Sequence, residues 1–78
     1  MDIEKSVKNC VARILEIPAS SLSLESSVDN VKSWDSLNHM KLILSLEGEL
    51  GITFSDDEVV ELTSIESLIA AVDDHLND

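Results

Sequence analysis

Apolar residues in this chain return every three or four positions, in three separate blocks, and nowhere alternate for more than a few residues. That spacing places apolar side chains on one face of a helix, not of a strand, so the chain is read as all-α. The first block carries Ile3, Val7, Cys10, Val11, Ile14 and Leu15, with Asp2 as the expected N-cap. Pro18 ends it near Glu16, because the residue before a proline is pushed out of the α region. The second block runs from Asp35 or Ser36 to Leu50, with Gly51 expected just past its end. Leu37, Met40, Leu42, Ile43, Leu44, Leu46 and Leu50 cover most of its circumference, leaving a stripe of Asn38, Lys41, Ser45, Gly48 and Glu49. A helix so widely apolar is expected at the centre of its bundle. Glu47 falls inside that apolar arc with no partner legible in the sequence.

Ser55-Asp56-Asp57-Glu58 reads as a capping box opening a short helix over about Asp56 to Leu62, with Val59, Val60 and Leu62 inward. Thr63-Ser64-Ile65-Glu66 repeats the pattern before a last helix bearing Ile65, Leu68, Ile69, Val72 and Leu76. The long serine-rich stretch from Ala19 to Trp34 has apolar anchors at Leu22, Leu24, Val28, Val31 and Trp34. It is therefore expected to pack across the bundle as an ordered loop, since long structureless loops are uncommon in compact domains. The result is a four-helix bundle with one short helix and a long first crossover. Its 78 residues suffice for one domain over positions 1–78.

Charge narrows the function. Sixteen acidic and five basic side chains give a net charge of −11. Nucleic acid and anionic membrane surfaces both require clustered Lys and Arg, so neither is an expected partner. No apolar run approaches the ~20 residues that span a bilayer, and the first residues lack the apolar core of a secretory leader. A cytoplasmic monomer that meets basic surfaces, more weakly as salt rises, is the expectation. Cys10 is the only cysteine, so no internal disulfide forms, and its place on an apolar stripe makes it a small buried hydrophobe. His39 and His75 lack a second ligand at metal spacing and are read as solvated; no metal site and no catalytic residue is expected.

One junction points to chemistry. In Trp34-Asp35-Ser36-Leu37, a serine stands where the long loop meets the second main helix. Asp35 suits the N-cap, Leu37 starts the apolar face, and a phosphoester on the Ser36 oxygen would meet free backbone N–H groups at the positive end of the helix dipole. By itself, Asp-Ser before an apolar run is what any helix N-terminus looks like.

Here the chain resembles the acyl carrier protein family over nearly all its length. The Asp35-Ser36-Leu37 triplet matches that family's attachment motif, and the resemblance continues through Leu42, Leu46, Glu47 and Glu49, the acidic helix at Asp56-Asp57-Glu58, Thr63, Ile65 and the last helix. It implies a four-helix carrier that is no enzyme. A phosphopantetheinyl transferase would attach 4′-phosphopantetheine from coenzyme A to Ser36, with Asp35 and Leu37 aiding recognition. The thiol of that arm would hold acyl units as thioesters for acyl-transferring, condensing or ligase enzymes with basic docking surfaces. Asn38, Lys41, Ser45 and Gly48 would be the stripe those partners read. The resemblance also implies that an acyl chain can lie between the helices, with Met40, Leu44, Leu46, Leu62, Ile65, Leu68 and Val72 as candidate lining.

Asn38 and Lys41, with His39 between them, stand where fatty-acid carriers usually show acidic residues, Gly48 stands where glutamate is common, and Trp34 stands where a small residue is common. These departures suggest a specialised polyketide or other secondary pathway instead of general fatty acid biosynthesis. Trp34 is read first as an anchor of the loop. An aminoacyl or peptidyl carrier and an acidic interaction module without a prosthetic group are the alternatives. From Leu42 to Asp78 there are ten acidic residues and no Lys or Arg, so the second half of the chain repels itself. Added salt or divalent cations should raise the melting temperature in a calorimetric titration; a flat response would show those charges to be well separated.

Overall fold

The computed structural model describes residues 2–77. Among them are four α-helices: α1 (Ile3–Leu15), α2 (Ser36–Leu50), α3 (Asp56–Glu61) and α4 (Ile65–Leu76), with a single 3₁₀ turn at Ala19–Ser21. The all-α expectation holds, and helix boundaries fall within a residue or two of those read from sequence. Asp2 caps α1, its Oδ1 accepting the Lys5 N–H at 3.1 Å.

α1 ends before Pro18 by a specific device. Glu16 adopts a left-handed conformation at φ 59°, and the Ile17 N–H reaches back to the Ala12 carbonyl at 3.0 Å. This closes a Schellman-type turn, in which the left-handed residue is usually glycine. Gly51 fills the same role after α2, at φ 67°.

The central helix is α1, not α2. α1 packs against both α2 and α4, burying Val7, Cys10, Val11, Ala12 and Leu15. α2 buries only Leu42, Ile43 and Leu46, while Leu37, Met40 and Leu44 are exposed at 66%, 47% and 63%. The wide apolar arc was thus a poor guide to burial, because a helix packed from one side buries one stripe whatever its other faces carry. Val60 on α3 is also outward, at 75% exposure, whereas Leu62 is buried. Met40 and Leu44 therefore leave the set of interior lining residues; Leu46, Leu62, Ile65, Leu68 and Val72 are packed core.

The long crossover is ordered by backbone bonds more than by its apolar anchors. Leu22 and Trp34 are buried, but Leu24 and Val28 are exposed. The loop lies instead against the start of α4. The Ile65 N–H donates to the Ser26 carbonyl at 2.9 Å, the Glu66 N–H to Leu24 at 3.3 Å, and the Val28 N–H to Thr63 at 3.0 Å. Two of the helix's unpaired first-turn donors are thereby satisfied by the loop, and Ser27 and Ser64 form an isolated bridge. The cap of α4 is Ser64, paired reciprocally with Ser67, one residue along from the Thr63–Glu66 pairing read in the sequence. The Ser55–Glu58 box of α3 forms as expected. Glu47 gains its partner here: its Oε2 accepts the Phe54 N–H at 2.8 Å and fixes the α2–α3 connection. Ser33 Oγ is buried without a hydrogen-bond partner among the described residues, and no neighbour accounts for it.

A side chain in the left-handed region costs roughly 1–2 kcal/mol that glycine avoids, partly offset by glycine's larger loss of chain entropy. Glu16→Gly is expected to raise unfolding stability by about 0.5–1 kcal/mol in urea titrations; a fall in stability would show that the Glu16 side chain contributes more than its backbone strain costs.

Candidate functional site

Ser36 is the first residue of α2, and its side chain is exposed. The residue before it sets the geometry. Asp35 is extended at φ −103°, its Oδ1 accepts the Asn38 N–H at 2.9 Å, and its carbonyl accepts the His39 N–H at 2.8 Å. The N–H groups of Ser36 and Leu37 have no preceding turn to donate to. An outward hydroxyl, two free donors and the positive end of a 15-residue helix thus share one place. That arrangement fits a phosphodiester on the Ser36 oxygen, whose charge the helix end favours.

Beside Ser36 opens a cleft of about 360 Å³, lined by Val28, Trp34, Asp35, Ser36, His39 and Thr63. It lies where the crossover, the first turn of α2 and the α3–α4 junction meet. Trp34 forms its wall and is only 2% exposed, which confirms it as the loop's anchor. Removing an indole from water contributes on the order of 4–6 kcal/mol by area, an upper figure for an extended unfolded chain. The Trp34 Nε1–H donates to His39 Nδ1 at 3.0 Å, and His39 Nε2 lies 2.7 Å from the Val59 carbonyl. An indole N–H only donates and a carbonyl only accepts, so a single neutral tautomer, with the proton on Nε2, satisfies both contacts. One imidazole on α2 therefore ties the crossover to α3. The two rings lie edge to edge across the Trp34–His39 bond, with centroids 6.3 Å apart and planes inclined by 26°.

His39 was read from sequence as solvated, and so was His75; both are half-buried and bonded. His75 Nε2 meets the Glu58 carboxylate at 3.0 Å, with its ring edge-on to Phe54, and so joins α4 to α3. The signal for His39 was present but indirect. A buried indole needs an acceptor, and His39 is the acceptor-bearing side chain one turn into the helix that follows.

The expected partner stripe divides. Lys41 and Gly48 are exposed, and a Cβ on Gly48 would meet nothing within 4 Å. Asn38 and Ser45 are engaged within the domain: Asn38 Nδ2 donates to the Ser33 carbonyl at 2.8 Å, and Ser45 Oγ accepts from Arg13 Nη2 at 2.9 Å. Leu37 points outward beside Ser36, next to Met40 and Leu44 along the same face.

Elsewhere the titratable groups serve structure. Arg13 also reaches Glu49 at 3.0 Å, and this hydrogen bond holds the Glu49 carboxyl below its ordinary range. The Ser55 backbone N–H, then His75, does the same for Glu58. Both lowered carboxyls lend stability that is present above the unfolded carboxylate value and is lost as pH falls through the folded one. Cys10 is buried, and burial pushes its thiol up, so it is no nucleophile. Among the described residues no cluster of His, Cys, Asp or Glu is placed to hold a metal, and no helix is long and apolar enough to cross a membrane.

Comparison with known proteins agrees with this geometry. Residues 5–72 match the family described as the phosphopantetheine attachment site. The fold is similar to the solution structure of a holo acyl carrier protein from Geobacter metallireducens, with a TM-score of 0.86 and 30% sequence identity over 99% of this chain and 88% of that one. The family match spans most of the chain and the structural likeness spans nearly all of it. With an exposed serine at the head of α2 in a bundle of this order, the chain belongs to the phosphopantetheine attachment family, as a non-catalytic acyl carrier with a covalent 4′-phosphopantetheine.

Proposed function

We propose that Ser36 is the residue that bears the arm, and that residues 1–78 act as one carrier domain passing acyl units between enzymes of a specialised pathway, polyketide or otherwise secondary. The observation that carries this reading is the outward Ser36 hydroxyl at the first position of α2, with unpaired N–H groups around it. When bound, the group supplies a thiol on a flexible tether, which holds an acyl unit as a thioester. The chain itself keeps the attachment oxygen outward, neutralises part of the phosphodiester charge at the helix end, and offers Asp35 and Leu37 to the transferase on either side.

Docking falls to the face of α2 that carries Leu37, Met40, Lys41, Leu44 and Gly48, at intervals of three and four. Val60 on α3 extends it, one residue beyond the carbonyl that His39 contacts. A partner would bury an apolar strip there and set basic groups against Asp56, Asp57 and Glu61, which are exposed on α3. Fatty-acid enzymes that rely on an acidic stripe along α2 would find a near-neutral, apolar one. This surface supports the specialised assignment over general fatty acid synthesis. Weak, salt-sensitive docking suits a tethered cargo, because the tether already supplies a high effective concentration. An interaction module without a prosthetic group loses its support with the family match, whereas an aminoacyl cargo fits the same attachment site.

Incubation with coenzyme A and a promiscuous transferase is expected to add one phosphopantetheinyl increment to the intact mass, and Ser36→Ala to abolish it; an increment that survives the substitution would place the arm elsewhere. With a condensing enzyme of general fatty acid synthesis, the loaded carrier is expected to turn over at least tenfold more slowly than that enzyme's own carrier, as a lost docking contact of ~1.4 kcal/mol or more requires. Equal turnover would remove the specialised pathway.

A further inference from the structure

We infer that Trp34 and His39 form a closed gate, which keeps cargo out of the helical core and restricts this carrier to short acyl units with hydrogen-bonding groups. The inference rests on Ser36 as the attachment residue. The cleft that opens beside Ser36 ends on the two rings. Trp34 is itself part of the packed core cluster and is the only residue of that cluster that lines the cleft, so a chain entering from Ser36 meets its indole before any aliphatic core residue. Leu62, Ile65, Leu68 and Val72 belong to the same buried cluster and contribute nothing to the lining of the cleft.

The rings are held from two directions. Trp34 bonds to His39 at 3.0 Å, and His39 bonds onward to the Val59 carbonyl at 2.7 Å. Admitting a chain between α2 and α3 at this end would break both bonds and leave the buried indole's N–H and the half-buried Val59 carbonyl without their partner, a loss an alkyl group does not repair. A long alkyl chain therefore stays on the surface. The cleft itself is mixed in character: an indole and Val28 form apolar walls, while the Thr63 hydroxyl and the Asp35 carboxylate can bond to a polar acyl group; the imidazole, both of whose nitrogens are engaged, cannot. Its volume of about 360 Å³ accommodates a short unit with part of the arm. A hydroxyacyl or aminoacyl group gains partners there that an alkyl chain does not use.

The test loads the full chain from octanoyl-coenzyme A and from 3-hydroxybutyryl-coenzyme A and compares methyl NMR spectra with those of the unacylated holo form. Intact mass is checked first: failure to load overturns the Ser36 assignment, and the gate with it, before any spectrum is taken. In the wild type, octanoyl loading is expected to leave the Leu62, Ile65, Leu68 and Val72 methyl resonances unmoved, while 3-hydroxybutyryl loading shifts the Trp34 indole proton. In His39→Ala the octanoyl form is expected to shift those core methyls. Trp34→Phe keeps a ring without the N–H and is expected to shift them in the same direction, which maintains the test if His39→Ala does not fold. Core methyl shifts in the octanoyl wild type, or unmoved methyls in whichever variants fold, would overturn the gate.

Discussion

An imidazole one turn into α2 holds the functional end of this molecule together. The crossover between α1 and α2 is long, and near Ser36 its one buried apolar anchor is Trp34, whose indole N–H must still find an acceptor. His39 supplies it, accepting from Trp34 on the crossover and donating to Val59 on α3. The crossover, the first turn of α2 and the distant α3 are thereby joined within three residues of Ser36. The backbone bonds from the start of α4 to Leu24 and Ser26 secure the crossover's other half. Between these two tethers the loop is positioned, and the Asp35 cap then sets the Ser36 hydroxyl outward.

The remainder of the fold supports that end from below. α1 lies between α2 and α4 and supplies the largest share of the interior, while Arg13 reaches across to Ser45 and Glu49 to fix α2 against it. Glu47 ties the α2–α3 connection and Glu58 ties α3 to α4 through His75. The acidic residues are thus of two kinds. Glu47, Glu49 and Glu58 hold helices and connections together, whereas Asp56, Asp57 and Glu61 face solvent. The net charge of −11 overstates how much acid is free to meet a partner.

Much of this was legible in the sequence, and what was not has a common cause. Helix limits could be read because caps are local: Asp2, Asp35, Ser55 and Gly51 each act within a few residues of their own position. The head of α2 could be read because Asp35 caps it locally, whereas the spacing alone did not single out Ser36: that came from the resemblance to acyl carriers. Burial was misjudged for Leu37, Met40, Leu44 and Val60, since periodicity reports which residues share a face but not how many faces have neighbours. The polar residues misjudged were those with distant partners. Glu47 bonds seven residues away, His75 seventeen and His39 twenty, and no local rule connects them. Ser45, bonded to Arg13 thirty-two residues away, was read as outward for the same reason, whereas Asn38 bonds to Ser33 only five residues back. In a chain with so few aromatics, a buried tryptophan ought to prompt a search for the acceptor of its N–H.

The state of the His39 ring tests this account most directly. Nitrogen-15 NMR of the folded protein should show a single neutral tautomer, with Nδ1 bare and Nε2 protonated, and with the Trp34 indole proton slow to exchange with solvent. Rapid averaging between the two tautomers, together with an indole proton that exchanges as freely as in an unfolded chain, would contradict the account: the crossover would then be held by something other than this ring, and the placement of Ser36 would lose its explanation.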